Sequence, residues 1–590
     1  MQTRLLSNAQ NTYRSALPTR PPVKSQSLQT SQDSFTSSAA EAPTLRQAFD
    51  KIHNAGGAGK ARLLDGNAES WNARWRVLES AQESLNTQYF CWDHDIFGKA
   101  MLGHIYKKAS QEGVKTRIMV DATGDTFGTR GFKAHIGGRD YLQEVTALPN
   151  AEAKVYHPHY KKLIDGLLHP GQNHAVASNH DKILEVDGER AITGGRNIGY
   201  EYFVDPKDFE GAWRDTDVYL EGAASAQALR DAFEVEYSAP WINEKVRPDF
   251  LGNWVKRDIE LLGAYSIMDD WLKGDPMSDS DKEKLRSDPD YQARISGEVY
   301  QQVLKRLPEV GAPREPGRRE SKRLQELAEE IVRYPELRGT YQAAQSTLHD
   351  AEIKILDRTS VVSTAQDQMG RELVNLARSA QQKILIENPY IVLTKNLLAE
   401  LQEAGKRGVE IQLGTNSPSS TDSAVTQAFF LEDWPKILAT TPNMRLFVAT
   451  GERKLHAKVG VIDDQASLVS TYNLDLLSSE VNSEVGALVW SEDFAKDTYN
   501  GFTNDFKDPR NGVREYTILR DDKGHPVRSD GKPVLDAEGN LLNDPEVTFG
   551  PAHHLSQKVL DKYAKKTDRW NWLRRLLPNL ESLETFEFAK

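Results

Sequence analysis

The sequence predicts an α/β protein of two pseudo-symmetric α-β-α halves sharing one site, with a helical insertion between them. Three observations carry that prediction. Helical and strand-like segments alternate from about residue 44, the same alternation returns near residue 370, and a His-x-Lys-x4-Asp pattern occurs once in each copy, 276 residues apart.

In the first copy WNARWRVLESAQES has helical spacing, LNTQYFCW reads as a strand, GKAMLGHIYKKASQEG as a helix and VKTRIMVDATG as a strand ending in a loop. Apolar residues three and four apart make a helix stripe, whereas β-branched and aromatic runs bounded by turn residues fit strands. Strand–helix–strand order favours a largely parallel sheet covered on both faces. The second copy follows suit with RELVNLARSAQQ, KILIENPYIV, KNLLAELQEAGKRG and VEIQLGTNSP. Ser-Ala-Gln precedes the strand in both, at 80–82 and 379–381, and both second helices end at a glycine before valine, Gly113 and Gly408, 295 residues apart.

The expected divisions are a tail at 1–43, a first half at 44–244, a charged helical insertion at 245–355, a second half at 356–508, and C-terminal hairpins with an amphipathic helix at 509–590. The tail is rich in Ser, Thr, Gln and Pro, with no acidic residue before Asp33. It is too poor in apolar surface to fold alone, so disorder is expected; an uncleaved export signal or a transit peptide has a similar composition. The insertion, broken by GAPREPG, reads as packed beside the core. Between Tyr563 and Leu580, Trp570, Trp572, Leu573, Leu576 and Leu577 lie among Arg569, Arg574 and Arg575, which suits a membrane interface or a helix docked on the body.

Composition is that of a soluble globular chain, 38% hydrophobic and 27% charged over 590 residues. A net charge of −12 makes nucleic acid an unlikely partner. The single cysteine, Cys91, excludes an intrachain disulfide and a Cys-based zinc site. No run approaches the roughly 20 apolar residues of a spanning helix, and no apolar leader is evident, so membrane contact is expected to be peripheral.

The repeated pattern is NHDKILEVDGERAITGGRN at 179–197 and LHAKVGVIDDQASLVSTYN at 455–473. His180, Lys182 and Asp187 recur as His456, Lys458 and Asp463, and Asn197 and Asn473 each follow their histidine by 17 residues. KILEV and KVGVI are strand-like, so each His and Lys, two apart, point the same way. Asp187-Gly188 is a hairpin-turn signal, and the returning strand brings the asparagine back beside them. Two copies face to face make one pocket with two His, two Lys and two Asn. That set suits a phosphodiester: the lysines neutralise phosphate charge, the amides donate hydrogen bonds, one neutral histidine attacks phosphorus, and the other protonates the leaving alkoxide. Each histidine needs a carboxylate on its far nitrogen. Glu484, 28 residues after His456, is the candidate in the second half, and Asp215 or Asp217 in the first. His157 and His159 in YHPHYKK lack further ligand spacing and read as pocket loop or surface.

At these residues the sequence resembles the phospholipase D superfamily, the HKD enzymes, and within it the bacterial cardiolipin synthase group, nearest the type without N-terminal transmembrane helices. GGRNIGYEYF, WRDTDVYLEG, ENPYIV, GTNSPSSTDSAV and STYNLDLLSSEVNSEVG carry the resemblance over about 65–505, with WNWLRRLLPNLESL near the end. It implies a phospholipase D or phosphatidyltransferase acting on glycerophospholipids, with phospholipase D-type halves and a phosphohistidine intermediate. His180 and His456 would be the nucleophile and acid, His180 attacking, with Lys182, Lys458, Asn197 and Asn473 on the phosphate. Asp187 and Asp463 would be structural, Asp215 and Glu484 would orient the histidines, and no cofactor or metal is implied. The partners implied are a phospholipid substrate and a peripheral membrane surface. A monomer with an internal two-fold is expected, in a bacterial cytoplasm or on its membrane, or exported by a non-Sec route. The alternatives are an HKD nuclease and a secreted phospholipase D effector toxin. Departures from the family are Ser470-Thr471 for Gly-Ser, Leu477 for a common Arg, and a longer insertion; they leave head group and acceptor open.

Overall fold

The computed structural model describes residues 43–52, 56–127, 139–170, 172–247 and 256–576. The expected tail, apart from Pro43, lies outside them. So do residues 577–590 and the side chains of 567–576, so the expected Trp and Leu face around Trp570 and Trp572 falls outside the described residues.

The first half contains β1 (Gly56–Leu64), β2 (Ser84–Tyr89), β3 (Lys115–Asp121), β4 (Ala151–Tyr156), β5 (Ile183–Val186), β6 (Arg190–Gly194), β7 (Asp217–Glu221) and β8 (Glu244–Lys245). The second contains β9 (His349–Arg358), β10 (Lys383–Glu387), β11 (Glu410–Asn416), β12 (Met444–Ala449), β13 (Val459–Ile462), β14 (Ala466–Ser470), β15 (Glu484–Trp490) and β16 (Arg514–Ile518), and β17 (Val547–Phe549) pairs with β16.

Pairing in the first half runs β8-β4-β3-β2-β5-β6-β7-β1, and in the second β16-β12-β11-β10-β13-β14-β15-β9, the same order strand for strand. The halves join where β1 pairs antiparallel with β9, Ala58 opposite Glu352. β2-β3-β4 and β10-β11-β12 are parallel and all other pairs antiparallel, so the sheet is less parallel than expected. Parallel neighbours require crossover helices, whereas the three-residue turns between β5 and β6 and between β13 and β14 force reversal. β9 runs across the expected division at 355/356, and β16 extends the second half's sheet past 508.

The crossover helix Ile96–Glu112 is capped by Asp95, which accepts from Gly98 N at 2.9 Å, and stops at Gly113 with φ 74°. Its counterpart Lys395–Lys406 is capped by Thr394, and Gly408 follows with φ 92°. The left-handed backbone at these two stops is what glycine supplies. Apolar side chains form one core in each half. A third core is built from both halves, including Ile183, Val218, Leu229, Ile353, Val469, Val485 and Phe494.

The insertion supplies the helix Asp258–Lys273, which buries 14 of its 16 residues and so is interior rather than a solvated arm. It lies so close to Ile96–Glu112 that a Cβ on Gly103 would stand 2.0 Å from Leu261 O. Its buried Glu260 is matched by Lys99, Arg257 and Arg323 at 3.0–3.1 Å. Removing one partner of such a buried group is costly, which fixes the helix's register.

Candidate active site

The two motifs build the same hairpin. Asp187 and Gly188 (φ 56° and 70°), and Asp463 and Asp464 (φ 51° and 54°), are the paired left-handed residues of a tight hairpin turn. The Asp187 carboxylate accepts from the backbone N–H groups of Gln82, Glu83 and Ser84, all at 2.8 Å. Asp463 accepts from Gln381, Gln382 and Lys383 at 2.8–2.9 Å. Both aspartates therefore tie the hairpin's turn to the Ser-Ala-Gln segment leading into β2 or β10.

His180 and Lys182 lie in the extended lead-in to β5 rather than within it, and His456 and Lys458 likewise precede β13. The residue before each histidine is gripped by the last residue of a parallel strand. Asn179 N donates to Asp121 at 2.8 Å, and Leu455 N to Asn416 at 3.0 Å. Asp121 and Asn416 are 295 residues apart, the repeat distance. Backbone bridges then cross between halves. His180 N donates to Ser483 O at 3.2 Å, and His456 N to Arg214 O at 2.7 Å.

These bridges decide the carboxylate partners. His180 Nδ1 lies 2.9 Å from both Glu484 oxygens, and His456 Nδ1 lies 2.6 Å from Asp215 Oδ2. Taking each half as self-contained pairs Glu484 with His456; the structure reverses this, and each histidine is held by the other half's carboxylate. The reason is that β7 and β15 flank the β1–β9 junction, so the residues at their starts meet the opposite half's lead-in. Asp217 does not serve a histidine: it is buried with Arg74 at 3.0 Å and Arg196 at 3.1 Å.

Lys182 Nζ donates to His180 O at 2.8 Å, and Lys458 Nζ donates to His456 O and lies 2.9–3.0 Å from the ring nitrogens. Asn197 Oδ1 accepts from Cys91 N and its Nδ2 donates to the Tyr202 hydroxyl, both at 3.0 Å. Asn473 N donates to Ser478 Oγ at 3.2 Å, and its Oδ1 is buried without a hydrogen-bond partner among the described residues. Phe90 stands edge-on to His180, ring centres 5.1 Å apart, and Trp213 lies 5.0 Å from His456.

Burial shapes the charges. It pushes His180 well below the ordinary histidine range, helped by Lys182, Lys458 and His456. It also lowers His456, helped by Lys458 and opposed by Asp215. Burial raises Glu484 to about 7. It acts on Asp215 in the same sense, but the His456 and Lys458 charges outweigh it and hold that carboxyl below its ordinary range. Burial lowers Lys182, and lowers Lys458 to about 8.

Several contributors had no partner assigned from the sequence. Thr471 and Ser478 hydroxyls donate to the two oxygens of Glu484. Gly195, equivalent to Thr471, leaves room for Asp215: a Cβ there would stand 1.9 Å from Asp215 Oδ1. The positional equivalence of Gly195 and Thr471 was legible, but the partner of each was not. His157 is buried, bonded to Ala177 O at 3.1 Å and Asp165 at 2.8 Å, which occupies both ring nitrogens. Among the described residues Asp93, Asp95 and Glu201 come close enough to hold a cation, but Asp95 already caps a helix and accepts from Tyr200 N at 2.6 Å.

The family described as "Cardiolipin synthase, PLD-like domain" matches residues 373–506. The chain is 22% identical over 454 residues to cardiolipin synthase C of Escherichia coli (strain K12), covering 73% of this chain and 82% of that protein. It is 23% identical over 453 residues to cardiolipin synthase 1 of Bacillus anthracis, covering 76% of this chain and 66% of that one. Among solved structures, phosphatidylserine synthase of Haemophilus influenzae Rd KW20 aligns over 80% of this chain and 91% of its own, with 11% identity and a TM-score of 0.49.

Proposed function

We propose that this chain, similar to the cardiolipin synthases it matches, is a phospholipase D superfamily enzyme that transfers the phosphatidyl group of glycerophospholipids, to water or to a lipid alcohol, through a phosphohistidine. The observation that carries the reading is the crossed pair of buried His–carboxylate couples, each with a lysine tethered to the histidine's own carbonyl.

A carboxylate beside Nδ1 accepts a hydrogen bond from the proton on that nitrogen, which fixes the tautomer and turns Nε2 toward the reacting group. His180, held neutral, attacks phosphorus through Nε2, while His456, backed by ionised Asp215, gives its Nε2 proton to the departing alkoxide. Lys182 and Lys458 offset the charge on the phosphoryl oxygens, and the Asn197 and Asn473 amides orient them. In the second step His456 takes the proton of the incoming water or alcohol, whose oxygen displaces His180. Asp187 and Asp463 shape the hairpins and take no part in proton transfer.

No helix among the described residues is long and apolar enough to cross a membrane. The enzyme reaches its substrate as a peripheral protein, and one chain supplies both histidines, so a monomer completes the site. Incubation of the pure protein with defined phospholipids, with and without ethanol, followed by mass spectrometry, tests this. Phosphatidic acid, phosphatidylethanol or cardiolipin is expected; cleavage of plasmid DNA with no lipid turnover would replace this reading by a nuclease.

A further inference from the structure

The helix His159–Leu168 is built inside out. One of its two lysines is interior: Lys162 is buried and donates to Ala177 O and, at 3.3 Å, to Ser178 Oγ. Its apolar residues are exterior. Tyr160, Leu163, Ile164, Leu167 and Leu168 are 50–74% exposed, and Val176 just beyond is 53% exposed. The spacing is that of a single helix face, the face that in a globular protein ordinarily meets the core. Six of the eleven exposed large apolar residues among the described residues fall within 160–176, so this is a patch and not scatter.

Two further residues extend it. Trp241 is 91% exposed at φ 69°, a backbone state rare for a bulky side chain, and Lys161 Nζ ties its loop to the helix by donating to Asn243 O at 2.8 Å. Leu477 is 49% exposed. Its carbonyl accepts from Asn482 N at 2.8 Å, and the Asn482 side chain accepts from Ser178 N at 3.1 Å. The chain runs from the patch through the buried residues 177–179 directly into the lead-in that carries His180.

We propose that this face is a membrane-docking surface, an interfacial helix that enters the outer acyl region of a phospholipid bilayer and brings head groups to the two histidines. The proposal rests on the phosphatidyl-transfer reading above. The surroundings fit a bilayer rather than a protein groove. Leucines and isoleucine are flanked by Tyr160, Trp241, Lys161, His159, His169 and His174, an interfacial composition. Lys161 and Lys162 outnumber the one acid of residues 159–176, Asp165, so the segment is not anionic although the chain carries −12. That local charge suits anionic head groups.

The test uses the full chain and the variants L163S/L167S and W241A. Their partition onto vesicles of phosphatidylethanolamine and phosphatidylglycerol is measured by co-sedimentation, and their turnover on those vesicles and on dissolved short-chain phosphatidylglycerol. L163S/L167S is expected to lose roughly a hundredfold in partition and W241A about tenfold, with vesicle turnover falling in step and turnover of the dissolved lipid unchanged. Wild-type partition in L163S/L167S overturns the proposal, as does an equal loss on dissolved lipid. A wild-type dimer that L163S/L167S converts to monomer without changing vesicle partition assigns the face to a second copy and also overturns it. Vesicle binding that depends on these residues, without any lipid turnover by the wild type, supports docking and sinks the phosphatidyl-transfer reading alone.

Discussion

The His180 and His456 sites share one backbone plan yet differ in charge. Glu484 receives hydroxyl donors from Thr471 and Ser478, faces His180 with both oxygens, and is raised by burial to about 7. Asp215 faces His456 through one oxygen at 2.6 Å, beside a residue with no side chain, Gly195, and stays ionised. The two halves supply equivalent hairpins; a glycine in one copy and a threonine in the other give the two histidines carboxylates of different charge. Two sites tuned to the same charge would hold both rings in the same protonation state, which the two-step chemistry does not allow.

The strongest way to break the comparison is to remove either ring. His180→Ala and His456→Ala should each lower kcat by at least about 10^4-fold. With an activated aryl phosphodiester, which needs no leaving-group acid, His456→Ala should still accumulate a phosphoenzyme seen by intact mass, and His180→Ala should not. Label on His456 in the wild type would reverse the assignment.

Exchanging the two small residues sharpens it next. Gly195→Thr, copying the second half, should displace Asp215 and cost about 10^3-fold in kcat. Thr471→Gly, the reciprocal change, removes one donor from Glu484 and should cost about tenfold. Equal losses would show that the carboxylates are not differently tuned.

The pH profile is a smaller effect. His456, lowered by burial, must keep its proton to act as acid, and Lys458 loses its charge above about pH 8, so kcat/KM should begin to fall on the alkaline side below that value and fall further through it. His180 is depressed well below 6.5, so the acid limb should lie below the ordinary histidine range. A profile flat to pH 9.5 or so would remove Lys458 from phosphate binding.

The smallest effect should also be the same in both halves. Asp187→Ala and Asp463→Ala each strand three backbone N–H groups and should cost about 1–3 kcal/mol of stability in denaturant titration, with turnover per folded molecule intact. A selective loss of activity in one would give that aspartate a chemical role.

The repeat, the hairpins, the glycine stops and the residue set for a phosphodiester were legible in the chain because each is a matter of local spacing: two residues along a strand, two left-handed turn residues, three or four along a helix. β1 was not legible, since GGAGKARLL opens with three glycines among four residues and carries little strand signal. Nor was the junction it forms with β9. From that junction follow the crossing of Glu484 to His180 and of Asp215 to His456, and the diversion of Asp217 to Arg74 and Arg196. The inverted helix His159–Leu168 belongs to the same class, because a helical stripe in a sequence does not say whether its apolar face meets a core or solvent. The sequence by itself determined which residues are present twice and what chemistry such a set supports. Only the tertiary structure decided which partner each one meets, because those contacts join residues about 240 to 300 positions apart and rest on packing that no local pattern encodes.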